Sequence, residues 1–136
     1  MPHPDGLPDL FLDRSLGRVV VPRLLREQGL RLLTLSEYYG IPADEEITDE
    51  TWLEAAGQAG WAVFMKDARI RYNRIEQRAV REFGVRCFCL SNQSLSGAEM
   101  AARFMSNLRS IVAACETSGP FIYAVHKTRI ELLDLP

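Results

Sequence analysis

The chain has 136 residues, 47% of them hydrophobic and 25% charged, with a formal net charge of −2. That length supports one domain around a single core, and the balance is that of a soluble globular protein, which excludes the disordered and fibrous classes. The slight negative charge excludes a general polyanion binder, so any contact with nucleic acid must use a local basic patch.

Met1 to Pro8, with three prolines, reads as a flexible lead-in without the apolar core of a signal segment. Asp9 to Leu12 is a short apolar strand ending at Asp13. Arg18 to Gln28 follows as a helix with Val20, Val21, Leu24 and Leu25 on its apolar stripe; Pro22 falls in the first turn, and Gly29 stops it. Leu30 to Leu35 is the second strand. Ser36 to Thr48, with Gly40, Pro42 and four acids, reads as a loop with one helical turn at Glu37-Tyr38-Tyr39. A helix then runs to Gln58, its cap either Asp49 or Thr48; Asp49, with Trp52 three residues on, fits better than Thr48. Gly60 closes it.

Trp61 to Met65 is a short apolar run with no helical period, the pattern of a strand buried on both faces. Tyr72 to Phe83 is a basic helix closed by Gly84, and Val85 to Leu90 is a fourth strand. Ser91 to Ser96 is a polar loop, and Gly97 to Glu116 is one long helix broken at Gly119-Pro120. Phe121 to His126 and Arg129 to Leu133 form a terminal hairpin. Strands alternating with helices predict a three-layer α/β/α domain with a mainly parallel sheet. No apolar run is long enough to span a membrane. Cys87, Cys89 and Cys115 lack partners for a zinc site or an easy disulfide; they read as buried reduced thiols, which points to a cytoplasmic protein.

Charge is unevenly placed. Glu37 to Glu54 holds seven acids and no Lys or Arg, whereas Lys66 to Arg86 holds seven basic residues against three acids. Two apolar strands end the same way, LFLD at Asp13 and VFMKD at Asp67. In a parallel sheet all carboxyl ends share one edge, and open α/β sheets bind ligands there, at the switch point. If the first and third strands are neighbours, Asp13 and Asp67 converge, and Asp49, opening the helix into the third strand, lies on the same edge. Clustered carboxylates repel, and a hard divalent cation relieves the repulsion. Oxygen-only ligands favour Mg²⁺ or Mn²⁺, which pair with substrate phosphates and activate water. The bland reading of each acid is a turn residue or helix cap; only joint placement carries the signal.

Lys66, Arg69 and Arg71 flank Asp67 and are assigned to a substrate phosphate. Arg74, Arg78 and Arg81 form a stripe at helical spacing; Arg78 and Arg81 read as a solvated face with Glu76 and Glu82 as partners. Tyr72, Tyr38 and Tyr39 are candidates for stacking on bases. His3 and His126 read as core or surface histidines rather than ligands, and no Ser or Cys sits in a motif with His.

FLDRSLG, then TDETWLEAAGQAGWAVFMKDARIRY, and Gly119-Pro120-Phe121-Ile122-Tyr123-Ala124 near the end, resemble the PIN-like domain of VapC-type toxin ribonucleases. The resemblance covers nearly the whole chain, with residues 9–136 as one PIN-like domain. It implies a metal-dependent endoribonuclease, the toxin of a type II toxin–antitoxin pair, in which Asp13, Asp49 and Asp67 hold Mg²⁺ or Mn²⁺ and a metal-activated water hydrolyses the phosphodiester. Such domains often carry a fourth carboxylate, for which Glu37 and Asp44 are the candidates. The family further implies a homodimer and a small antitoxin that fills the cleft and alone contacts operator DNA. Two rivals remain open: a PIN-like interaction module without chemistry, and a receiver-type phosphoacceptor domain, whose paired acids after the first strand would need an acid where Arg14 stands.

Overall fold

A computed structural model describes residues 2–66 and 68–136. Six strands form one sheet: β1 (Leu10–Leu12), β2 (Leu32–Thr34), β3 (Ala62–Met65), β4 (Arg86–Leu90), β5 (Phe121–Val125) and β6 (Ile130–Leu132). Their order is β2-β1-β3-β4-β5-β6. All neighbours are parallel except β5 and β6, which form the expected terminal antiparallel pair. β1 and β3 are neighbours, with Leu12 opposite Phe64, so the switch point falls between them.

Alternation along the strands splits the core in two. Leu10, Leu12, Phe64, Phe88 and Leu90 face α1 (Val20–Glu27), α5 (Gly97–Ser106) and α6 (Leu108–Ala114). Phe11, Val63, Met65, Cys87 and Ile122 face α3 (Asp49–Ala59) and α4 (Arg74–Phe83). Helices on both faces make the three-layer α/β/α domain that the alternation predicts. Those last two helices pack closely because Gly57 has no side chain: a Cβ there would stand 2.3 Å from the Phe83 carbonyl oxygen.

Several boundaries differ from the sequence reading for identifiable reasons. β2 stops at Thr34, whose hydroxyl accepts the Glu37 N–H while the Glu37 carboxylate accepts the Thr34 N–H. That capping box starts a short helix, α2 (Leu35–Tyr39), where the sequence suggested one turn in a loop. A 3₁₀ turn over Ala43–Glu46 follows. Thr48, not Asp49, caps α3, its hydroxyl accepting the Thr51 N–H at 3.3 Å. The long helix expected from Gly97 to Glu116 is two, broken at Asn107. The Asn107 side chain is buried and donates to the Arg103 and His126 carbonyls, both at 2.8 Å, so it spans the break to the end of β5. At the amino terminus, His3 and Leu7 are buried, and the His3 ring accepts the Arg31 N–H at 2.9 Å.

Glu37 also pairs with Arg26 at 2.7 Å. The Arg26 hydrogen bond holds the Glu37 carboxyl below its usual range. A carboxyl depressed in the folded state contributes stability that is complete above its unfolded pKa and lost as pH falls through the folded value. The pair is half-exposed and screened, so Glu37→Gln, which keeps a capping acceptor, should cost about 0.5 kcal/mol at neutral pH. Urea unfolding of both proteins should show that gap narrowing as the solution is acidified.

Candidate metal and phosphate site

Asp13 follows β1 and is only 5% exposed. Its backbone N–H still donates to the Phe64 carbonyl, extending the β1–β3 pairing. Its Oδ1 accepts the Ser15 N–H at 3.1 Å, an Asx turn that opens the 3₁₀ turn Arg14–Leu16, and it also accepts the Ser15 hydroxyl. Ser15 Oγ in turn accepts the Lys66 N–H at 2.8 Å. One serine therefore ties the acid after β1 to the residue after β3. Asp-Arg-Ser is a recognisable Asx-turn signature, whereas the reach of Ser15 to Lys66, 51 residues on, has no local signal.

Asp13 shares a pocket of about 370 Å³ with Asp44, Arg14, Arg18, Thr34 and Ser36. Asp44 comes from the 3₁₀ turn after α2 and is 4% exposed. Its Oδ2 accepts from Arg18 at 2.7 Å, while its Oδ1 is buried with no hydrogen-bond partner among the described residues. Arg14 fixes the turn by donating to the Asp44 and Ile47 carbonyls at 3.0 and 2.6 Å. Of the two fourth-acid candidates, Asp44 thus stands in the pocket with Asp13. Glu37 is taken up by the capping box and Arg26.

Asp49 begins α3, and its Oδ1 accepts the Trp52 indole N–H at 2.9 Å. It does not line the pocket that Asp13 and Asp44 share. Among the described residues no three His, Cys, Asp or Glu side chains lie close enough to hold one metal ion. Asp67, the remaining sequence candidate, lies outside the described residues. The side chain of Arg69 likewise lies outside what the structure describes.

Lys66 follows β3, and its carbonyl accepts from the Gln93 side chain at 2.7 Å. Arg71 is exposed and lines a second cavity, with Tyr72 and His126. Arg74, Arg78 and Arg81 are exposed on α4 as expected, but Glu76 is buried, so the solvated-face pairing drawn for it does not hold. Tyr38 meets Trp61 edge to face at 5.2 Å and Tyr39 at 4.8 Å, so much of that aromatic surface is spent on packing.

The thiols take no part. Burial pushes Cys87 well above the ordinary thiol range, with the charges of Cys89, Asp13 and Glu76 adding to it, and burial raises Cys115 to about 11. Both stay protonated and inert at neutral pH, as the reading of reduced buried cysteines requires. No helix among the described residues is long and apolar enough to cross a membrane.

Mg²⁺ is commonly held by one or two carboxylates, with waters and substrate phosphates completing its shell. A buried carboxylate oxygen with no hydrogen-bond partner among the described residues, in one pocket with a second buried carboxylate, fits such a hard cation. Arg14 and Arg18 border the same pocket, where a phosphate oxygen bound to that cation would find compensating charge.

The family model described as PIN like domain matches residues 8–92. The chain is also 42% identical over 124 residues to a protein of Mycobacterium tuberculosis (strain ATCC 25618 / H37Rv) named putative ribonuclease VapC45, covering 91% of this chain and 90% of that one. No solved structure matches. The family match includes β1 to β4 and with them Asp13 and Asp44, and by that match and the likeness along nearly its whole length the chain belongs to the PIN-like domain family.

Proposed function

We propose that the chain is a Mg²⁺- or Mn²⁺-dependent endoribonuclease and the toxin of a type II toxin–antitoxin module. The observation that carries this reading is the pocket at the carboxyl edge, where Asp13 and Asp44 stand together and Asp44 Oδ1 has no described partner. The similarity to a putative ribonuclease supports RNA as the substrate class.

In this reading Asp13 and Asp44 hold the ion, and Asp67, two residues beyond β3 in sequence, supplies a third carboxylate. When bound, the cation makes a water nucleophilic at neutral pH and neutralises charge on the phosphodiester. Ser15 holds the Asp13 carboxylate in one orientation, as hydrogen-bonded ligand carboxylates require. Arg18 pairs with Asp44 and offers its remaining donors to a phosphate oxygen. Lys66, Arg69 and Arg71 add positive charge on the strand's path. Asp49 stands outside this pocket, its carboxylate fixed at the start of α3 by the Trp52 N–H. A small antitoxin protein covering this edge, and a homodimer, complete the proposal, with operator DNA reached only through the antitoxin.

The test is direct. The purified chain, given single-stranded RNA, should cut it in Mg²⁺ and not in excess chelator, and Asp13→Asn should not cut it in either. Cleavage by wild type and variant alike, or by neither, would reject the assignment.

A further inference from the structure

A second cavity, of about 450 Å³, opens on the same carboxyl edge beyond β4 and β5. Leu90 and Ala124 contribute apolar floor, and Tyr72, 77% exposed, stands beside it. The polar rim is a continuous chain: the Ser91 hydroxyl meets His126 Nδ1 at 2.8 Å, and His126 Nε2 meets Glu131 Oε1 at 2.8 Å. Nothing in the metal-site chemistry uses this chain.

The protonation pattern of the rim follows from its partners. The His126 hydrogen bond holds the Glu131 carboxyl below its usual range, with Arg129, His126 and Arg71 also contributing. An ionised carboxylate only accepts, so His126 Nε2 must carry the proton. In the tautomer that carries the proton on Nε2, Nδ1 accepts from the Ser91 O–H. That hydroxyl has an alternative acceptor in the Val125 carbonyl at 3.3 Å. Ser91 can therefore turn and either donate to or accept from a third group in the cavity.

The charges decide the class of ligand. Arg71 and Glu131 both line the cavity, so it carries no net positive charge to hold an anion. A neutral, flat group with donors and acceptors on its edge and a face for an exposed aromatic ring fits instead. Asp13 follows β1 and His126 follows β5, three strand spacings away, about 14 Å along the edge. A short run of single-stranded nucleotides spans that gap.

We infer that this cavity is a nucleobase subsite: it takes one unpaired base of the RNA strand whose scissile phosphate sits at Asp13, stacking it on Tyr72 and reading its edge with Ser91 and His126. The inference rests on the nuclease reading for the identity of the strand. It makes the enzyme selective for single-stranded RNA with a preferred base a short distance from the cut.

The test uses the full chain and fluorescently labelled single-stranded homopolymer oligoribonucleotides of A, U, C and G. Binding is read by anisotropy in the Asp13→Asn background, and cleavage by wild-type protein is followed in parallel. One homopolymer should bind at least about tenfold more tightly than the weakest. Tyr72→Ala should weaken the preferred one roughly tenfold, the loss of one stacked base. His126→Ala should bring the four affinities to within about threefold of one another, with circular dichroism unchanged for both variants. Unaltered affinity and base preference in both variants would overturn the subsite, as would the absence of binding. Cleavage with unaltered preference would reject the subsite and leave the nuclease. Base-selective binding without cleavage by the wild type would reject the nuclease and keep the subsite.

Discussion

Asp13→Asn should remove RNA cleavage while leaving the protein folded, with kcat/KM falling at least about 100-fold, equivalent to roughly 2.7 kcal/mol of transition-state stabilisation. The substitution is informative because asparagine keeps the oxygen that accepts the Ser15 N–H and so preserves the turn after β1. What it loses is the negative charge. A neutral amide is a poor ligand for a hard cation, and the pocket would be left with Asp44, already paired to Arg18. In bacteria, expression of the wild-type chain should arrest growth and the variant should not. A variant that cuts RNA within threefold of wild type, or that arrests growth equally, would separate Asp13 from the chemistry.

Trp52→Ala should be the most damaging single change to stability, at about 3–5 kcal/mol by urea unfolding. The side chain is 1% exposed in the core between the sheet and α3. Its ring stacks on Phe11 at 5.5 Å, and its indole N–H is satisfied by Asp49. Truncation leaves a cavity beneath β1, strips Phe11 of a stacking partner, and removes the donor that orients Asp49. A domain of this size is stable by about 5–15 kcal/mol, so the variant would be substantially unfolded at modest urea. Trp61 remains as a fluorescent reporter. A loss below about 1 kcal/mol would contradict the packing described here.

The parallel sheet was legible because its strands are short apolar runs ended by glycine-closed helices, as at Trp61 to Met65. The neighbourhood of β1 and β3 was a topological expectation from paired strand-end acids, and the register of Leu12 with Phe64 bears it out. Asp13 was legible from its place after a buried strand. Asp44 was legible only as one of two candidates: what draws it into the pocket is Arg18, 26 residues earlier, a contact with no local signature. The cap of α3 was misassigned because Asp and Thr are both good caps. The deciding factor is the Trp52 side chain, one turn on in the same helix, whose indole N–H occupies the Asp49 carboxylate. Asn107 broke a helix whose pattern looked continuous because its side chain answers to the His126 carbonyl across the fold. Ser91, His126 and Glu131 come from a loop, a strand end and a hairpin, so no spacing in sequence announces them.

Asp13 and Asp44 are proposed to form one divalent-cation site together, and Mn²⁺ titration followed by electron paramagnetic resonance tests this without reference to any substrate. The wild-type chain should take up Mn²⁺ stoichiometrically, Mg²⁺ should compete it off, and Asp13→Asn and Asp44→Asn should each weaken uptake at least about tenfold. Unchanged Mn²⁺ affinity in both variants would contradict the account.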